Sequence, residues 1–215
     1  SQIQRAAASQ KRINEFLQAK SELEIGQQIV KPISGNWVFK NVSFTYPGSD
    51  REILNQLTFE IESGESVALL GTTGSGKSSL AQLLARFYDP SSGDILLDGV
   101  SLKDWDIKHV RQSLAYVPQD VFLFSTTITE NISFGQDGMS NEQIMHAAKM
   151  ADVYENIMEF PDQFETILGE RGVTLSGGQK QRVSIARALA KNPTMLILDD
   201  CLSAVDTHTE HKILN

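Results

Sequence analysis

Apolar positions along the chain change rhythm several times, and each rhythm predicts an element. Ile3, Ala6, Ala7, Ile13, Phe16 and Leu17 recur at the spacing of one helix face, which predicts a helix over 1–20. A polar linker containing Pro32 follows over 21–35. Aromatic and β-branched residues predict a strand over 37–46, ended by the Pro47-Gly48 turn, and a second strand over 57–61. Ser66-Val67-Ala68-Leu69-Leu70 reads as a short buried strand, and Leu80, Leu83, Leu84 and Phe87 return to helical spacing. After a turn at Pro90-Ser91-Ser92-Gly93 come a strand at 95–97, a tight turn at Asp98-Gly99 and a strand at 114–117. Residues 141–159 look helical through Ile144, Ala147, Ala148, Ala151, Val153 and Ile157. A further helix runs from Ser176 through Leu189. Met195 to Leu198 is a fully apolar strand ending in Asp199-Asp200, and a last helix is expected to begin near Thr207.

Between the 66–70 strand and its following helix stands Gly71-Thr72-Thr73-Gly74-Ser75-Gly76-Lys77-Ser78, a match to G-x-x-x-x-G-K-[ST] in the strand–loop–helix setting that motif requires. The glycines let backbone N–H groups curl around phosphate oxygens, and the helix N-terminus adds partial positive charge. In this chemistry Lys77 reaches the β- and γ-phosphates and the Ser78 hydroxyl ligates Mg²⁺. The adjoining Ser79 completes the expected nucleotide contacts. Asp199 ends a buried strand, where ligands gather in open α/β sheets. From there it can hold the same Mg²⁺ through a water opposite Ser78.

Composition narrows the classes. The 215 residues suffice for one domain, or one domain with a lobe, and 40% hydrophobic content is ordinary. A net charge of −8 and a pI near 5.0 argue against broad nucleic-acid binding. No apolar run approaches the roughly 18 residues of a membrane span, and there is no signal peptide pattern. A single cysteine, Cys201, makes no internal disulfide, fits a reducing cytosol and is expected to be a packed, unreactive thiol. Sequons at Asn41 and Asn131 are short enough to arise by chance and carry no weight. His109 and His146 are expected on helix surfaces. Both ends fall inside helical patterns, so the chain reads as a piece of something longer.

Leu175-Ser176-Gly177-Gly178-Gln179 lies downstream of the phosphate loop, and the two motifs in this order resemble one family, the ATP-binding cassette (ABC) ATPases. The resemblance implies an α/β fold: a P-loop NTPase core with an antiparallel β subdomain and a helical subdomain inserted at about 120–185. It implies MgATP as the substrate. It makes Tyr46 the aromatic that stacks on adenine. It makes Gln119, in Tyr116-Val117-Pro118-Gln119-Asp120, a contact to Mg²⁺ and the attacking water, in a loop that senses a membrane domain. Ser176, Gly177, Gly178 and Gln179 match the signature that grips the γ-phosphate held by a second nucleotide-binding domain. Ser203-Ala204-Val205-Asp206 resembles the loop that crosses that dimer interface.

Two features resemble the exporter branch. Gly169-Glu170-Arg171-Gly172 looks like the segment that touches a membrane domain's coupling helices. The leading helix, with Ala6-Ala7-Ala8-Ser9 and then Arg12-Ile13, looks like the cytoplasmic end of a last transmembrane helix. On this resemblance 1–33 are a lead-in from a transmembrane domain and 34–215 a C-terminally truncated nucleotide-binding domain, held at the cytoplasmic side of the cell membrane. There are two departures. The family usually has glutamate after Asp199 to polarise the attacking water; here it is Asp200, one methylene shorter. With Lys77 and Gln119 it makes up the expected catalytic group, and the swap suggests a degenerate site paired with a competent one in a heterodimer. The switch histidine lies beyond the end of the chain, and His208 and His211 are not substitutes for it. A regulatory module that clamps ATP with little hydrolysis, and a soluble ABC ATPase acting on DNA or ribosomes, are the alternatives.

Overall fold

The computed structural model describes residues 2–18, 23, 26–136, 138–169 and 175–201. Residues 170–172 and 203–206, His208, His211 and the helix expected from Thr207 lie outside that range. Helix α1 spans Gln2–Gln18, with Ile13, Phe16 and Leu17 exposed.

A four-stranded antiparallel sheet has the order β2-β1-β3-β4, with β1 Trp37–Thr45, β2 Glu52–Ile61, β3 Ser92–Leu97 and β4 Val100–Ser101. β2 starts well before the expected 57. The cause is a bulge: Val42 pairs with Leu57 but Phe44 with Leu54. Gln56 takes φ 46° there and donates its N–H to Ser43 Oγ at 2.9 Å. One extra residue breaks the two-residue alternation by which a strand is recognised. β3 and β4 turn through Asp98 and Gly99, both at positive φ, as a two-residue hairpin requires.

The expected linker is docked on this sheet over 26–36. Ile29 bridges Trp105, and the Asp98 carboxylate accepts the N–H groups of Ser34, Gly35 and Asn36 at 2.6, 3.1 and 2.9 Å. His109 lies half-buried on α3 (Ile107–Ser113), its Nε2 2.7 Å from Lys31 O.

Helix α2, Lys77–Leu84, lays Leu80, Ala81, Leu83 and Leu84 into a core with Phe39, Phe44, Ile95 and Leu97. Phe87 lies past its end and is half-exposed. β5 (Leu114–Val117) and β6 (Met195–Leu198) pair in parallel and separate two cores. Leu114 and Ile197 face the core of the antiparallel sheet. Ala115 and Val117 face a second core built by α4 (Ile128–Ile132), α5 (Asn141–Met150), α6 (Tyr154–Met158) and α7 (Gly177–Ala190). Cover on both faces is why these strands read as continuous apolar runs. Cys201 is fully buried in the second core, and burial is the main cause that pushes its thiol up to about 11.

Two further expectations fail. Residues 141–159 are not one helix: α5 stops in a Schellman turn, with Asp152 at φ 51°, its N–H on Lys149 O and the Val153 N–H on Ala148 O, both at 3.0 Å. Residues 66–70 are neither strand nor buried. Leu70 is 95% exposed and Val67 and Leu69 are each 44% exposed. Among the described residues no strand pairs with them, and a strand without a paired neighbour has no ladder to join.

Candidate functional site

The phosphate-type loop is shaped by its glycines where contact and conformation demand them. Gly76 caps α2 at φ 95°, and a Cβ there would sit 2.7 Å from Leu54 Cδ2 on β2. Ser75 N–H closes a turn on Thr72 O at 3.2 Å. Gly71, Thr72, Thr73, Gly74 and Ser75 are exposed, so their backbone groups face solvent ahead of a helix start. Such a start presents N–H donors and partial positive charge. Lys77 Nζ spans the loop, donating to Gly71 O at 2.8 Å and Thr72 O at 3.1 Å. Ser79 is buried, and its Oγ lies 2.8 Å from the Tyr46 hydroxyl, which donates to Gln82 Oε1 at 2.9 Å. Tyr46 is thereby tied to α2, its ring edge-on to Phe44 and Tyr88.

The ends of β5 and β6 bring the carboxylates to the same place. Asp199 continues the ladder, its N–H on Val117 O at 2.9 Å. Ser78 Oγ donates to Asp199 Oδ1 at 3.0 Å and the Tyr116 hydroxyl to Asp199 Oδ2 at 3.0 Å. Gln119 Nε2 donates to Asp200 Oδ2 at 3.3 Å, and Asp200 holds φ 50°. Burial, then the bond to Asp199, raises the Tyr116 phenol above its ordinary value, so it remains a donor. Four residues singled out from sequence thus form two pairs, Ser78 with Asp199 and Gln119 with the next residue, Asp200.

The second motif is a separate helix start. Leu175 is buried, while Ser176 and Gly177 are exposed. Ser176 caps α7 through a reciprocal box: its Oγ accepts the Gln179 N–H at 3.3 Å, and Gln179 Oε1 accepts the Ser176 N–H at 2.9 Å. Gly178 follows inside the first turn. Among the described residues, no hydrogen bond joins this start to the phosphate-type loop.

A model of the ABC transporter family matches residues 54–203, more than half of the chain. The chain belongs to the ABC transporter family. Its ATP-binding domains are ATPases, and the fold described above is theirs. The chain is 48% identical over 210 residues to an uncharacterized ABC transporter ATP-binding protein, YfiB of Bacillus subtilis, covering 98% of this chain and 37% of that protein. It is 45% identical to the ATP-dependent lipid A-core flippase of Haemophilus influenzae, covering 99% and 36%. A solved structure of a bacterial Atm1-family ABC exporter with ATP bound superposes with a TM-score of 0.90 at 41% identity, covering 99% of this chain and 37% of that one. The chain therefore spans little more than a third of the length of these relatives.

Two groups escaped the sequence reading. Tyr116 stands within the quoted Gln119 motif, but only the pairing of β5 with β6 reveals its partner. Asn131, dismissed as half of a sequon, is fully buried. Its Oδ1 accepts Phe124 N–H and Arg187 Nη2, each at 2.9 Å, and its Nδ2 donates to Phe124 O and Thr127 O, each at 3.0 Å. Arg187 also reaches Asn131 O at 2.7 Å and Phe122 O at 3.0 Å. This pair ties the segment after Gln119 to α7, and no periodic signal announces it.

Proposed function

We propose that the chain is the ATP-driven motor of a membrane exporter. It binds MgATP on the Gly71–Ser79 stretch, pairs with a second nucleotide-binding domain across its Ser176 helix start, and moves a membrane domain. The observation that carries this reading is the pairing of Ser78, at the start of α2, with Asp199, and of Gln119 with the next residue, Asp200. The donors fit Mg²⁺: a hydroxyl and a carboxylate are hard oxygens, and this ion takes one or two of them with waters and substrate phosphates. When bound, it supplies charge neutralisation at the β- and γ-phosphate oxygens. Lys77 Nζ exchanges its loop carbonyls for phosphate oxygens, and Gln119 and Asp200 align a water. The half-buried Tyr46 ring, tied to α2 through its hydroxyl, takes the adenine.

On this reading 1–33 lead in from a transmembrane domain, 34–215 form the nucleotide-binding domain, and about 120–185 form its helical subdomain. The Gln119 loop and residues 169–172 face the membrane domain on the cytoplasmic side. The similarity to an exporter solved with ATP bound, and to a lipid A-core flippase, supports this assignment. Among the described residues no helix is long and apolar enough to cross a membrane.

Asp200 bears on which site turns over. Its shorter side chain is drawn to Gln119, which favours a weak site here and a competent one, completed by this chain's Ser176, on a different partner. The test is steady-state ATP hydrolysis by the assembled full-length transporter. Asp200→Ala is expected to cost far less than Ser176→Ala, and Asp200→Glu to add turnover. Equal damage from the two alanine variants makes Asp200 a working base and refutes the asymmetric reading.

A further inference from the structure

The Asp199 carboxylate is held at both oxygens, by Ser78 Oγ on Oδ1 and by the Tyr116 hydroxyl on Oδ2, each at 3.0 Å. A free aspartate rotates broadly about its last torsion; donors on opposite oxygens remove that freedom. The phenol is itself held. Its ring packs edge-on against Phe87 with centroids 6.0 Å apart, and β5–β6 pairing sets Tyr116 beside Ile197. Farther along the same strand end, Gln119 reaches Asp200. Two side chains of one strand end thus brace two consecutive carboxylates of the next.

We propose that Tyr116 is a positioning residue for metal–nucleotide binding: its hydroxyl fixes the Asp199 carboxylate with Oδ1 turned to Ser78 and the phosphate-binding loop. The inference rests on the MgATP reading of the site. Without the hydroxyl, the carboxylate must be ordered at the moment the ion arrives, and that cost falls on the metal-dependent part of binding alone. Because hydrogen bonds to charged groups exceed neutral ones, the expected loss is about tenfold.

The test uses the full-length protein and its Tyr116→Phe variant, which keeps the ring. ATP affinity is measured by calorimetry in EDTA and again across a Mg²⁺ titration, with melting curves alongside. The expected result is ATP affinity in EDTA within about twofold of the parent, and a Mg²⁺ requirement raised about tenfold. In an Asp199→Ala background the same change is expected to add nothing, as a double-mutant cycle demands of one shared interaction. An unchanged Mg²⁺ requirement overturns the proposal. So does an equal loss in EDTA, or a melting point lowered enough to unfold the variant, since either makes the hydroxyl merely structural. If the parent protein itself gains no affinity from Mg²⁺, the underlying reading of the site fails instead.

Discussion

Ser176 is asked to do two things, and substitution can separate them. Its hydroxyl caps α7, accepting the Gln179 N–H at 3.3 Å. The proposed function also has it reach a phosphate held by a second domain. Ser176→Ala removes both roles. Loss of an N-cap costs about 0.5–2 kcal/mol. The long bond here points to about 1 kcal/mol, a fall of roughly 2–4 °C in melting temperature for a domain of this size. Loss of a hydrogen bond to a charged phosphate costs about 1.5–3 kcal/mol, roughly ten- to hundredfold in turnover. Ser176→Asp divides the two roles. Aspartate caps about as well as serine and suits a helix N-terminus, but it sets a carboxylate against the phosphate. The expected outcome is a restored melting temperature with turnover still down at least tenfold, measured by differential scanning calorimetry and steady-state phosphate release on the full-length transporter. If Ser176→Asp restores both, the hydroxyl is only a cap and the partner-phosphate role is wrong.

Lys77→Ala should weaken MgATP at least about tenfold by calorimetric titration, because the lone cation of the loop is lost; Tyr46→Ala should weaken it less, since one aromatic platform is worth about 1 kcal/mol for a single base. Asn131→Ala strips a fully buried amide from Arg187 and the Phe124 backbone, leaving buried donors unpaired at about 1–3 kcal/mol each; urea unfolding should show a loss of about 3 kcal/mol, and an unchanged midpoint would contradict the network. Asp98→Ala frees three N–H groups of the docked 34–36 segment and places alanine at φ 50°; limited proteolysis should then cut near 26–36 faster than in the parent.

The candidate-site residues are picked out in the sequence where residue type and spacing carry them. Gly71 to Ser78 needs its glycines in sequence order, and an acid at the end of an apolar strand needs no distant information. What stayed hidden depends on pairing between remote segments. The fate of 66–70 turns on whether a strand lies alongside, which no local pattern states. The bulge at Gln56 hid the first half of β2, and aspartate in place of glycine at the left-handed position hid the α5–α6 break. Tyr116 and Asn131 act through partners many residues away. Hydrophobic periodicity records which face is buried, not which polar atom is met there.

The central claim, that MgATP on this loop drives a paired machine, is tested most directly by ATP hydrolysis in the full-length protein reconstituted in membranes. Mg²⁺-dependent turnover that Lys77→Ala lowers and Ser176→Ala nearly abolishes is the predicted result. Turnover indifferent to Ser176→Ala, or no hydrolysis above the background of a protein carrying both Lys77→Ala and Ser176→Ala, would contradict it.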